Sequence, residues 1–123
     1  MARARILLVD DDKDTLQTFK IWLELNDFDV YTYSNPLNAL SEFRRDYFDL
    51  ILLDIRMPEM TGFELYQEIV NIDPDIRICF ITSFELYYTN LKEIYPILKN
   101  YRFLQKPVSM KKLLALVSQH LAG

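Results

Sequence analysis

Five short apolar runs recur along this chain, and between them apolar residues return at every third or fourth position. The runs are Arg5–Val9, Asp29–Tyr33, Leu50–Leu53, Arg77–Ile81 and Tyr101–Leu104. They are short, continuous and apolar, the pattern of strands buried on both faces of a sheet. The stretches between them carry helical stripes: Leu16, Phe19 and Leu23; Leu37, Leu40 and Phe43; Phe63, Tyr66, Ile69 and Val70; Leu113, Leu114, Val117 and Leu121. Asp12 or Asp14 suits the cap of the first helix, Asn35-Pro36 opens the second, and Ser109 caps the last. Asn71 to Pro74 reads as the turn leaving the third helix. Between Phe84 and Asn100 the spacing of Leu86, Leu91 and Ile94 predicts a helix over Glu85–Ile94, which Pro96 then ends. Strand and helix alternating in this way predict an α/β sandwich around a parallel sheet.

The polar residues become informative where the runs stop. Ile6-Leu7-Leu8-Val9 leads into Asp10-Asp11-Asp12, Leu50-Ile51-Leu52-Leu53 into Asp54, Ile78-Cys79-Phe80-Ile81 into Thr82, and Phe103-Leu104-Gln105 into Lys106-Pro107. In a parallel sheet these ends lie on one edge, the edge where ligands sit in open α/β folds. Asp10, Asp11 and Asp54 crowded there would repel one another, and hard oxygen ligands of this kind select Mg²⁺ or a similar ion. An aspartate beside such an ion can attack a phosphoryl group and carry it as an acyl phosphate. Thr82 can donate a hydrogen bond to one phosphoryl oxygen, and Lys106 can neutralise another. Taken singly, each residue has an ordinary reading. Asp10 or Asp12 suits a helix cap, Asp54 a turn, Thr82 a strand, and Lys106 a solvated surface. Packing does not explain why all of them stand at strand ends.

Composition narrows the class. The 123 residues fit one domain, 1–123, large enough for a core without disulfide or metal staples. The single cysteine, Cys79, has no internal partner, which suits a reducing, cytoplasmic setting. No apolar run approaches membrane-spanning length, and no signal-peptide pattern opens the chain. The net charge of -4 argues against direct nucleic-acid binding, which favours a basic face. One histidine excludes metal sites built on several imidazoles.

Together the motifs resemble a receiver domain of two-component response regulators, over nearly the whole chain. The matching pieces are Ile6 to Asp12, Leu50 to Pro58 with Thr61-Gly62, Ile81-Thr82-Ser83, and Phe103 to Pro107. The resemblance implies a flavodoxin-like (βα)5 three-layer sandwich with a five-stranded parallel sheet of order 2-1-3-4-5. It implies Asp54 as the phospho-acceptor, supplied by the phosphohistidine of a sensor histidine kinase. Asp11 would ligate the metal directly and Asp10 nearby or through water, with the backbone carbonyl of Arg56 completing the protein's share of a Mg²⁺ (or Mn²⁺) shell. Thr82 and Lys106 would read the phosphoryl group, and Phe103 would turn inward as Thr82 moves. The Lys106–Pro107 bond would be cis. Such a protein signals to a downstream protein or effector domain. It is not a metabolic enzyme, although it assists its own phosphorylation and dephosphorylation.

The stretch between Thr82 and Lys106 departs from the family pattern. It lacks the small Ala/Gly-rich turn before the last strand and carries Tyr87, Tyr88, Tyr95 and Tyr101. These rings suit core packing or a partner surface. The Phe84–Gly123 face is accordingly a candidate homodimer surface, and Phe84–Lys106 the candidate switch face. Arg56 and Phe84, each two residues beyond a site residue, would overhang an acyl phosphate and slow its hydrolysis. Trp22 is expected at the edge of the first helix, Cys79 as a small hydrophobe, His120 as solvated, and Met57 and Met60 as space-fillers. Three other functions fit less well. A phosphatase with an aspartate nucleophile favours a second carboxylate where Arg56 stands. A flavin-binding protein favours a glycine- and hydroxyl-rich first loop. A phosphorylation-independent scaffold would not need the intact set. No effector segment follows Gly123, so output is expected through another protein, unless the chain is a piece of a longer regulator.

Overall fold

Strands β1 (Arg5–Val9), β2 (Asp29–Tyr33), β3 (Leu50–Asp54), β4 (Ile78–Thr82) and β5 (Tyr101–Gln105) pair in parallel, in the order β2-β1-β3-β4-β5. The computed structural model describes residues 3–83 and 101–122. The expected helix over Glu85–Ile94, with Phe84, Tyr87, Tyr88 and Tyr95, lies outside them. Four helices are described: α1 (Lys13–Glu24), α2 (Pro36–Glu42), α3 (Gly62–Ile72) and α4 (Met110–Ala122). The expected flavodoxin-like order is therefore the observed one.

Alternation along each strand assigns its residues to two layers of core. Leu7, Val9, Ile51, Leu53, Ile78 and Phe80 pack with Ala39 of α2 and with Phe63, Tyr66 and Ile69 of α3. Ile6, Leu8, Leu50, Leu52, Cys79 and Ile81 face the other way, onto Leu16, Phe19 and Leu23 of α1 and Leu113 and Val117 of α4. Full burial of each such side chain contributes about 1.5–3 kcal/mol, which is why the central strands read as unbroken apolar runs. Every residue of β3 and β4 is buried. The edge strands β2 and β5 are only half-buried or exposed, because each has a neighbour on one side alone.

Local chemistry sets the helix starts. Asp12 caps α1, its carboxylate accepting from the backbone N–H of Asp14 and Thr15. Asn35 does the same for α2, with Pro36 in its first turn, and the Ser109 hydroxyl accepts from the N–H of Lys112. Thr61 and Glu64 form a reciprocal capping box at α3. The Lys106–Pro107 bond is cis.

Several expectations need correcting. Helix α3 continues through Ile72, so its closing turn begins at Asp73 rather than Asn71. In α2 the buried residues are Pro36 and Ala39, while Leu37 is exposed. His120 is not solvated. It is buried, and its Nε2 lies 2.9 Å from the Ile78 carbonyl, which satisfies a ring nitrogen inside the core. Arg77 donates to the Leu121 carbonyl at 3.3 Å, so two hydrogen bonds tie the end of α4 to the start of β4. Cys79 is buried as expected, and that burial pushes its thiol up to about 12, where it is inert as a nucleophile. Trp22 is half-buried and stacks on Phe19.

Candidate functional site

Strand register assembles the site. Val9 pairs with Leu53, so the next residues, Asp10 and Asp54, stand side by side. Asp54 pairs with Ile81, which brings Thr82 one step beyond it, and Thr82 pairs with Gln105, which does the same for Lys106. Two backbone hydrogen bonds prolong the ladder past the strands: Ile55 N–H to the Ile81 carbonyl at 3.2 Å, and Lys106 N–H to the Thr82 carbonyl at 2.7 Å.

The side chains converge accordingly. Asp10, Asp11 and Asp54 each offer a carboxylate oxygen within 4.8 Å of the others, the first and last buried and Asp11 exposed. Asp10 is fixed on both oxygens. Oδ1 accepts from the Asp12 N–H at 2.9 Å, and Oδ2 from Lys106 Nζ at 2.9 Å. Asp12 is committed to capping α1 and stands outside the trio. Thr82 is fully buried at the end of β4.

The charges of the trio are not balanced by Lys106. Burial raises the Asp54 carboxyl to about 7, and the adjacent Asp10 charge reinforces the shift; Lys106 opposes it without cancelling it. For Lys106, burial pulls downward, but the hydrogen bond and charge of Asp10 outweigh it and the net direction is up. A pocket that pushes one of its three acids towards neutrality in this way fits a hard divalent cation. The donor set is all oxygen, with no thiolate or imidazole in it.

The remaining expected residues fall as follows. Arg56 is exposed in the turn after β3. Phe103 is half-buried on β5, stacked on Phe80 at 5.3 Å between ring centroids. Phe84 lies outside the described residues, as do residues 84–100 of the proposed switch and dimer faces. Met57 is buried in the core and Met60 packs against it, as space-fillers should.

Sequence reasoning missed the part played by Gly62. A Cβ there would lie 2.3 Å from the Asp54 carbonyl oxygen, and the Gly62 N–H donates to the Ile55 carbonyl at 2.9 Å. Only a residue without a side chain lets α3 start this close to the end of β3. Its sequence signals are its place in the Thr61-Gly62 pair of the family resemblance and its being one of two glycines in the chain. Gly62→Ala is expected to destabilise the protein by about 2 kcal/mol and to displace the Asp54 backbone. A urea midpoint equal to the parent's would refute it.

Comparison with known proteins follows the same lines. The model of the response regulator receiver domain family matches residues 6–118. The response regulator receiver protein CpdR of Brucella abortus is 36% identical over 109 residues, 89% of each chain. The transcriptional regulatory protein ZraR of Klebsiella oxytoca is 34% identical over 95% of this chain but only 26% of its own length. Among solved structures, the non-phosphorylated HemR receiver domain from Leptospira biflexa superposes with a TM-score of 0.87 at 29% identity, covering 98% of this chain and 96% of that one. Among the described residues, no helix is long and apolar enough to cross a membrane.

Proposed function

This chain belongs to the response regulator receiver domain family, and from that premise we propose that it accepts a phosphoryl group on Asp54 and signals its presence through Thr82, Lys106 and Phe103. The observation that carries the reading is the convergence of Asp10, Asp11 and Asp54 within 4.8 Å, with the Lys106 ammonium 2.9 Å from Asp10.

An Asp54 carboxylate oxygen attacks the phosphorus of a kinase phosphohistidine. The new P–O bond forms as the P–N bond breaks, and the imidazole leaves with the electron pair. Asp10, Asp11, Asp54 and the Arg56 backbone carbonyl would hold Mg²⁺ or Mn²⁺, which when bound supplies charge neutralisation favouring ionised Asp54 and offsetting the phosphoryl oxygens. The Thr82 hydroxyl donates to one phosphoryl oxygen, and Lys106 turns part of its charge from Asp10 to another. Because the phosphoryl group stays on the protein, the output is a shift between conformations rather than a released product. A few kcal/mol of differential interaction is enough for it.

The partners are a sensor histidine kinase and a downstream protein or effector domain, with pairing to a second copy through the Phe84–Gly123 face as a further option. Arg56 and Phe84 are assigned to slowing hydrolysis. Arg56→Asn and Phe84→Ala are expected to lose phosphate several-fold faster than the parent, and unchanged decay rates would remove that assignment.

Intact mass after incubation with acetyl phosphate and Mg²⁺ tests the proposal. The expected result is a gain of one phosphoryl group, abolished by EDTA and by Asp54→Ala. No gain in the parent, or an equal gain in Asp54→Ala, refutes it.

A further inference from the structure

Phe63 stands between the backbone that follows Asp54 and the aromatic side chain of β5. On one side it is bonded to Gly62, whose Cα is pressed so closely on the Asp54 carbonyl that a Cβ has no room. The Gly62 N–H bond to the Ile55 carbonyl ties that first turn of α3 to the end of β3, and the Thr61–Glu64 capping box holds the turn itself together. The turn and the Asp54–Ile55 backbone therefore shift together or not at all. On the other side, the Phe63 ring lies 4.8 Å from that of Phe80 and 6.5 Å from that of Phe103. Phe80 is fully buried and stacks on Phe103, and Phe103 meets Tyr101 edge-on at 5.6 Å. Ring contacts thus run without a break from the start of α3 to the edge strand.

We infer that Phe63 is a positioning residue: it keeps the turn after Asp54 in register with Phe103, so that loading of the Asp54 carboxylate moves Phe103 through the Phe63 and Phe80 rings. Dense cores transmit small displacements because their packing does not deform continuously. Phe103 on this route answers to the β3–α3 turn as well as to Thr82. The inference rests on the proposed phosphorylation of Asp54 and adds a second mechanical input to the same switch.

Beryllofluoride with Mg²⁺ serves as the phosphoryl mimic, and the ring NMR shifts of Phe103 are the readout, beside phosphoryl uptake from acetyl phosphate. Phe63→Leu is expected to take up the phosphoryl group within about twofold of the parent rate, while the Phe103 response falls at least about twofold. Phe63→Tyr, which keeps the ring, should restore the response, and Phe63→Met carries the same expectation as Phe63→Leu should the latter fold poorly. Phe48→Leu removes a buried ring from the aromatic group around Tyr31, Phe43 and Tyr47. It should lower stability yet leave the Phe103 response intact, which separates positioning from general loosening. A full-sized Phe103 response in Phe63→Leu overturns this inference alone. Normal uptake with no Phe103 response in the parent overturns both the switch reading and this inference, and no uptake in the parent overturns the proposed function itself.

Discussion

Asp54→Asn is expected to stabilise the cation-free protein, although it removes the residue on which the function depends. The unfolded chain ionises Asp54 near its ordinary value of 3.8, whereas the folded protein holds the proton up to about 7. Between those values the native state binds more protons than the unfolded state, so its stability falls as pH rises. The loss is complete above about pH 7; at about 1.4 kcal/mol per pH unit its upper bound is about 4 kcal/mol, and solvent screening of the partly buried site reduces it to roughly 2–4 kcal/mol. Asparagine cannot ionise and escapes it. Urea midpoints in EDTA should therefore separate the variant from the parent by a gap that widens from about pH 4 to about pH 7 and then levels off. Saturating Mg²⁺ should close the gap, because the cation stabilises only the native state that binds it. A gap independent of pH and Mg²⁺ would mean that Asp54 is not under electrostatic stress.

Lys106→Met is expected to do the reverse. Asp10 is almost wholly buried, and the Lys106 ammonium at 2.9 Å is the cation it is paired with. Removing one partner of such a pair leaves a buried carboxylate beside Asp54 and Asp11, at a cost of about 3 kcal/mol. The sign agrees with the upward shift of Lys106 itself. Its stabilisation is fully present below the ordinary lysine value of 10.5 and is lost only as pH rises through the higher folded value. Addition of Mg²⁺ should recover part of the loss. Because Asp54→Asn relieves the same excess of negative charge that Lys106→Met uncovers, the double variant should be more stable than the sum of the two single effects predicts. A non-additivity below about 0.5 kcal/mol in the double-mutant cycle would show that the two residues do not share a pocket.

Much of this site was legible because chemistry and topology coincide in the chain. Each central strand is an apolar run that ends where the sheet ends, so Asp10, Asp54, Thr82 and Lys106 announce one edge without any knowledge of register. The flavodoxin-like strand order came from the resemblance and matches the observed sheet. Contacts that depend on exact register were not legible. One is the contact of Lys106 with Asp10, which the strand pairings carry to the same corner. The crowding of Gly62 against Asp54 is invisible in one dimension for the same reason.

His120 was misread for a different reason. Its spacing from Leu113 and Val117 places it on the buried stripe of α4, but a polar ring near the end of a helix reads as solvated until a core acceptor is known. The Ile78 carbonyl is that acceptor. Leu37 fails in the opposite sense. A helix of seven residues turns only one narrow face inward, and Pro36 and Ala39 occupy it.

Locating the acyl phosphate tests the assembled site most directly. After acetyl phosphate and Mg²⁺, borohydride reduction marks the phosphorylated aspartate for fragment mass analysis. Reduction at Asp54 alone, lost when EDTA replaces Mg²⁺, is the predicted result. Reduction at Asp10, Asp11 or another aspartate, or at none, would contradict it.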